Sequence, residues 1–398
     1  MTIGVAVIGA GMAGRAHAAG YRIAPTLYAS TLPPLRFVSI ADVSPEFGDL
    51  AAQRFGYERS DTSWQAIADN PEIQVVSVVV ANSLHREIVE GLLAAGKHVL
   101  CEKPLSDTLD DARAMAEVAR TADTVARIGF TFRRAPGVAA LRDLVTSGAL
   151  GQILHVDARY WCDYASDPQG PISWRYKGAA GSGALADIGS HASYLAEFLC
   201  GDIQEVSGGR FATAITKRPV PLGAVIGHGQ VAVSEEYEAV ENDDYASFSA
   251  QFENGAGVVQ VSRVAAGHPN GLALEIFGDQ GAASWEQERP AEFHLMLNDG
   301  PVGARGYRRV IIGPDHPYVS GGLPMDAPGV GLGQNDGFAY QARAFLEEVA
   351  GLNQADSLPR CASFDEGVHN MDILAAVADS AARGGASVKV DKQIEVAQ

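Results

Sequence analysis

Lys103, Asp187 and His191 are the residues whose types and settings could do proton and charge chemistry. Lys103 stands in a Glu-Lys-Pro stretch at the end of an apolar run, and Pro104 restrains its backbone from helical geometry. A lysine held there can hydrogen-bond a reacting oxygen and stabilise negative charge developing on it. Asp187 and His191 are four apart at the start of a predicted helix, so both project from one face of its first turn. The glycine-rich approach Gly181-Ser182-Gly183 precedes them. An imidazole is the natural general base near neutral pH, and a carboxylate one turn away can hold its tautomer. Plainer readings exist for both: a surface lysine in a loop, and a solvated Asp–His pair at a helix end.

A second constellation offers a place for a cofactor. Gly9, Gly11 and Gly14 follow the apolar run over 3–8 in GxGxxG spacing, and residues 12–24 then read as a helix. Gly9 permits the tight turn, Gly11 lets backbone approach a pyrophosphate, and Gly14 lets helix and strand pack closely. The helix N-terminus adds free N–H groups and a positive dipole end. The spacing alone is weak in a chain with 44 glycines. Its position between a strand and a helix favours dinucleotide binding over a structural turn. Asp42 ends the next predicted strand, over 36–41. It can accept both adenine-ribose hydroxyls and repel a 2′-phosphate, while Val43, Ser44 and Pro45 offer no cation, so NAD is expected rather than NADP. Asp42 could also cap a helix over 45–55. Its separation from the glycines exceeds the usual ~20 residues, because a proline-bracketed insertion over 25–34 reads as a loop.

These residues need a frame, and the pattern supplies one in two parts. Strands over 36–41, 75–80, 98–101 and 124–130 alternate with helices over 45–55, 64–68, 84–95 and 109–120. Such alternation means a doubly wound parallel sheet, an α/β Rossmann domain over 1–130, whose ligand crevice lies at the carboxyl ends of its strands. Beyond about residue 150 longer strands follow, over 153–161, 203–211, 245–252, 258–264, 272–277, 282–285, 293–297 and 308–312, with Asn254-Gly255 as a hairpin turn. Helices over 185–199, 338–349 and 364–382 accompany them, with a long glycine- and proline-rich loop over 313–333. Residues 131–398 are therefore expected to form an α+β domain with a large open antiparallel sheet, serving substrate binding and oligomerisation.

Composition narrows the partners. A net charge of −18 argues against nucleic acid or an anionic membrane, and no stretch reaches the ~20 apolar residues of a membrane span. The chain opens directly into a strand with no export signal, so the cytoplasm is expected. Cys101, Cys162, Cys200 and Cys361 are far apart with no metal-binding spacing, which predicts buried reduced thiols and no metal. One face of the open sheet would be exposed unless covered, so a dimer or tetramer is expected.

Taken in order, GAGMAG, Asn82 and His85, Glu102 to Pro104, GFTFRRAP at 129–136 and GSGALADIGSH at 181–191 resemble the Gfo/Idh/MocA family of NAD(P)-dependent sugar and inositol dehydrogenases. The long loop before the second strand, Trp161 to Tyr164 and Ser173 to Arg175 are similar to its levoglucosan dehydrogenase branch. The resemblance implies oxidation of a secondary hydroxyl of a sugar, anhydrosugar or cyclic polyol, with His191 as base, Lys103 on the oxyanion and Asp187 orienting the histidine. It also implies cofactor contacts from Gly9, Gly11, Met12, Ala13, Asp42, Asn82, His85, Glu102, Lys103 and Arg133, and a substrate contact from Phe132. Trp161, Asp163, Trp174 and Arg175 suit a hydroxylated ring, although sheet packing and surface ion pairs would explain them equally; Asn335 and His369 are further candidates. Ala81, Thr131 and Cys162 depart from the family pattern. An NAD-dependent glycosidase acting through transient oxidation and a non-enzymatic NAD-binding regulator are the competing expectations.

Overall fold

The run IGVAVI is buried at every position, as a parallel strand covered on both faces must be. It is β1 (Ile3–Ile8) of a computed structural model that describes residues 2–391 except 30, 224, 226, 228, 230 and 300. There follow α1 (Met12–Ile23), β2 (Leu35–Ala41), α2 (Pro45–Phe55), β3 (Arg59–Asp61), α3 (Trp64–Ala68), β4 (Val75–Val78), α4 (His85–Ala94), β5 (His98–Cys101), α5 (Leu109–Thr121) and β6 (Ala126–Ile128). The six strands form one parallel sheet in the order β3-β2-β1-β4-β5-β6. Strand order reverses between β1 and β4, which creates a ligand-binding switch point at their carboxyl ends. β3 gives no sequence signal because Arg59-Ser60-Asp61 is too short and polar to show alternation. β4 stops at Val78, although the Val79 N–H still donates to the Ile8 carbonyl at 2.8 Å; a Cβ on Gly9 would lie 2.0 Å from the Val79 carbonyl oxygen.

The second compact unit comprises residues 135–312 and 369–391. It opens with α6 (Pro136–Thr146) and β7 (Ile153–Trp161), and α7 (Ser190–Cys200) follows. Then come β8 (Ile203–Ala212), β9 (Lys217–Pro221), β10 (Val233–Ala239), β11 (Tyr245–Phe252), β12 (Ala256–Ser262), β13 (Gly271–Gly278), β14 (Gly281–Glu286), β15 (Glu292–Leu297), β16 (Arg308–Ile311) and β17 (Val388–Lys389). Nine strands form a sheet ordered β16-β15-β14-β13-β7-β12-β11-β8-β17, while β9 and β10 make a separate ribbon. The sheet is mixed rather than wholly antiparallel: β7 and β12 run parallel, with Tyr160 opposite Val261. Local hairpin signals cannot reveal that pairing, because the two strands are distant in sequence.

Period-two alternation gives the large sheet two faces. Val156, Ala158 and Tyr160 of β7 join Phe248, Val259, Val261, Leu272 and Leu274 in the buried layer, against which α7 packs. His155, Asp157 and Arg159 lie on the opposite, open face with Val258, Glu275 and Phe277. There the His155 and Phe277 rings stack at 4.3 Å.

Residues 313–368 pack with the first unit, not the second. They include α8 (Gln334–Val349), which begins one turn before the predicted start, and the first residues of α9 (Phe364–Ala382). α8 lies so close to α1 that a Cβ on Gly20 would meet the Phe338 carbonyl oxygen at 2.8 Å. The insertion predicted as a loop is pinned here. Arg343 donates to the Leu27 carbonyl at 2.7 Å, and the Tyr28 hydroxyl donates to the Tyr318 carbonyl at 3.1 Å.

Candidate active site

The cofactor half is built by backbone. Gly14 is tight, since a Cβ there would lie 1.8 Å from the Gly9 carbonyl oxygen; a Cβ on Gly11 would meet nothing within 4 Å. The two outer glycines therefore close the turn, and the middle one faces the space a pyrophosphate needs. Met12 and Ala13 open α1 there, with Met12 exposed. Asp42 takes the Ala10 N–H on Oδ2 at 2.8 Å and the Ser44 N–H on Oδ1 at 2.9 Å. It thus ties the glycine turn to the end of β2 and retains lone pairs for ribose hydroxyls. Val43 beside it is exposed and carries no charge. These residues fit NAD.

Lys103 stands two residues beyond the end of β5, partly buried, and its peptide bond to Pro104 is cis. Its backbone N–H donates to Glu102 Oε2 at 3.2 Å. Glu102 Oε1 is itself 2.9 Å from Nε2 of the buried His17, a residue that no sequence motif singles out. Asn82 opens a short turn ahead of α4. His85, expected at the cofactor, is fully buried between two carbonyl oxygens, Leu105 on Nδ1 at 3.1 Å and Val80 on Nε2 at 3.2 Å. It fastens α4 to the loop after Lys103, and with no exposed surface it offers no side-chain contact to a ligand. Burial pushes its pKa down. Phe132 is buried, and Arg133 pairs with Glu366 at 3.2 Å.

In the second unit Asp187 lies within a π turn, Leu185–Gly189, that runs into α7, and His191 is the second residue of that helix. Wide turns of this kind recur at functional sites. Both side chains are partly exposed. The Tyr164 hydroxyl donates to Asp187 Oδ2 at 2.7 Å. Burial first, and then the Asp187 charge, push the Tyr164 pKa up, so the phenol keeps the proton it donates. The Tyr160 ring stands 6.1 Å from the His191 ring, and its hydroxyl lies 2.7 Å from Asn270 Oδ1. Cys162 is buried with Sγ 3.8 Å from the same oxygen.

Asp243 holds this helix start in place. Its Oδ1 accepts the N–H groups of Gly181 at 2.8 Å and Gly183 at 3.0 Å, and its Oδ2 accepts that of Leu185 at 2.8 Å. A Cβ on Gly183 would lie 2.2 Å from the Asp243 carbonyl oxygen. Neighbouring Asn242 donates to the carbonyls of Arg175 and Lys177, each at 3.0 Å, and Asp244 pairs with the buried Arg263 at 2.9 Å. A polar run before a strand looks like a solvated loop, and only its complete burial reveals the role.

The other candidates are dispersed. Trp161 falls on the open face of the sheet, with Arg159 5.0 Å from its ring, and not on the face of Tyr160 and His191. Asp163 is partly exposed and turns the chain through its carbonyl, which accepts the Ser166 N–H. Trp174 is 55% exposed beneath the Arg175 guanidinium at 4.4 Å. Asn335 is exposed near the start of α8. His369 is buried, with Nε2 2.8 Å from Glu197 Oε1, which also accepts the Ile203 N–H at 2.8 Å. Glu197, Asp202 and His369 are the one set among the described residues close enough to share a metal ion. Glu197 Oε1 and His369 Nε2 already bond one another, while His369 Nδ1 is buried without a hydrogen-bond partner among the described residues. All four cysteines are buried, and among the described residues none is in a disulfide.

Comparison with known proteins converges on the same picture. A model of an NAD-binding, Rossmann-fold oxidoreductase family matches residues 3–130, and the GFO/IDH/MocA C-terminal domain matches 138–284. Levoglucosan dehydrogenase of Pseudarthrobacter phenanthrenivorans is 35% identical over 385 residues, 96% of each chain. Inositol 2-dehydrogenase of Rhizobium meliloti is 25% identical over 304 residues, 75% of this chain and 80% of that one. A solved levoglucosan dehydrogenase in complex with NADH and levoglucosan superposes with a TM-score of 0.88 at 31% identity, covering 98% of this chain and all of the other. With its glycine turn, its Asp42-closed nucleotide half and its mixed-sheet second unit, the chain belongs to the Gfo/Idh/MocA family of NAD-dependent oxidoreductases.

Proposed function

We propose that this enzyme oxidises a secondary hydroxyl of a sugar, of an anhydrosugar such as levoglucosan, or of an inositol-like cyclic polyol to the ketone. The observation that carries this reading is the 35% identity with levoglucosan dehydrogenase over an alignment spanning 96% of both chains. The inositol dehydrogenase relative keeps a cyclic polyol within range.

His191 takes the hydroxyl proton as general base. Lys103 donates a hydrogen bond to the same oxygen and stabilises its charge as the proton departs, an interaction strongest in the transition state. Asp187, fixed by Tyr164, orients the imidazole and a neighbouring substrate hydroxyl. Bound NAD⁺ accepts the hydride. Phe132, Asp163, Trp174, Arg175 and Asn335 remain proposed substrate contacts, and Asn82 and Arg133 proposed cofactor contacts.

The test is NADH formation from NAD⁺ across levoglucosan, inositols and common aldoses. Turnover with at least one of these ring polyols is expected. Release of free aglycone from glycosides with no net NADH would replace the reading with a transient-oxidation glycosidase, and inertness towards the whole panel would overturn it.

A further inference from the structure

Helix α1, strand β4 and the end of β5 are joined by a chain of side-chain hydrogen bonds for which the steps above have no use. The Tyr21 hydroxyl lies 2.9 Å from Ser77 Oγ, Ser77 Oγ lies 3.0 Å from His17 Nδ1, and His17 Nε2 lies 2.9 Å from Glu102 Oε1. Tyr21 and Ser77 are fully buried and His17 is 2% exposed, while the Glu102 side chain reaches solvent at 12%. With Glu102 ionised and the His17 ring neutral, every bond in the chain has one direction. An ionised carboxylate only accepts, so Nε2 carries a hydrogen. The neutral ring then presents Nδ1 as an acceptor, Ser77 donates to it, and Tyr21 donates to Ser77. All the hydrogens point towards Glu102, an arrangement in which each bond strengthens the next. Gly129 leaves the room this requires, since a Cβ there would sit 2.6 Å from Glu102 Oε1.

Apolar side chains of equal volume would fill this space without the penalty of burying polar groups. The purpose of the chain therefore lies at its outer end. Glu102 stands beside Lys103 at the carboxyl end of β5, on the edge where a parallel sheet receives its ligand. We propose that His17 is a positioning residue that fixes the Glu102 carboxylate as an anion at the nicotinamide end of the cofactor, where its charge favours the cationic oxidised ring over the neutral reduced one. The inference rests on the dehydrogenase reading above for its purpose, but its test needs no substrate.

Affinities for NADH, by fluorescence titration, and for NAD⁺, by calorimetry, are measured on the full-length protein. His17→Leu is expected to weaken NAD⁺ binding about tenfold, the loss of one charge-assisted hydrogen bond, and to leave NADH within about twofold. His17→Gln, whose amide can donate to the same carboxylate oxygen, should recover most of the NAD⁺ affinity. Equal weakening of both forms is what a merely structural histidine would give, and it overturns the proposal. So does an unchanged ratio, or a Gln variant no better than Leu. Should His17→Leu fail to fold, Ser77→Ala removes the donor to Nδ1 and should give the same NAD⁺-selective loss at about threefold; an unselective effect again overturns it. A protein that behaves as expected here but reduces no NAD⁺ with any polyol keeps this inference and loses the dehydrogenase reading. Polyol turnover without the NAD⁺-selective loss keeps the dehydrogenase reading and removes His17 from its proposed role.

Discussion

A histidine wedged between two carbonyl oxygens in a dry interior loses more by shedding water than those oxygens return when it becomes charged. His85 is such a residue, and burial is the leading cause of its lowered pKa. The unfolded chain binds a proton at this ring below its ordinary value of 6.5, whereas the folded chain resists. Stability from His85 is therefore complete above pH 6.5 and falls as the pH drops through it, by up to about 1.4 kcal/mol per pH unit. His85→Gln keeps a donor but cannot titrate, so the stability gap between wild type and variant should narrow from about pH 7 to about pH 5 in urea denaturation. A constant gap would mean that the folded ring takes up the proton too. Lys103 and His191 call for a different experiment. Alanine at either position should lower NAD⁺ reduction by about 10²–10⁴-fold, the usual effect of losing a general acid–base group. NADH titration should be nearly unchanged, and near-normal turnover in either variant would remove that residue from the mechanism.

Elements carry their own consequences. The π turn and the start of α7 depend on Asp243, whose carboxylate satisfies three N–H groups. Asp243→Ala leaves those donors without their acceptor in a buried setting, and a loss of roughly 2–4 kcal/mol is expected. Turnover should fall while NADH titration, which reports the other unit, holds. Asp243→Asn keeps one acceptor oxygen and should fall between. Equal melting temperatures for the three proteins would refute the anchoring role. What sequence revealed about these elements follows from how local each signal is. The bounds of α2, α3, β5, β7, β11 and α9 agree with the pattern because capping residues, prolines and alternation lie inside the segments themselves. α6, β3 and the β9–β10 ribbon were not legible. β3 is short and polar, and the ribbon's exposed strand reads as a charged loop. Asp187 and His191 draw attention by their spacing alone, while Tyr164, Asp243 and His17 bond to partners 23 to 85 residues away. Nothing in a single sequence measures that separation.

At the scale of the whole molecule the open sheet face poses the remaining physical question. Val258 is 39% exposed on it, beside the stacked His155 and Phe277, with Asp157, Arg159, Glu205 and Glu275 around them. An apolar centre ringed by charges of both signs is the composition of a protein interface. Both signs on one patch also allow it to complement itself across a two-fold axis. We propose that this face joins copies of the chain into a dimer, or into a tetramer if a second interface exists. Val258→Arg would place two like charges near that axis, and like charges at close quarters oppose association. The wild type is expected to scatter light as an oligomer and the variant as a smaller species. Because Val258 belongs to the face opposite Tyr160 and His191, NADH affinity in the variant should match the wild type at saturating concentrations. A wild-type protein that is monomeric at all concentrations tested would show that the sheet meets water directly, and an oligomer insensitive to the substitution would move the interface elsewhere on the molecule.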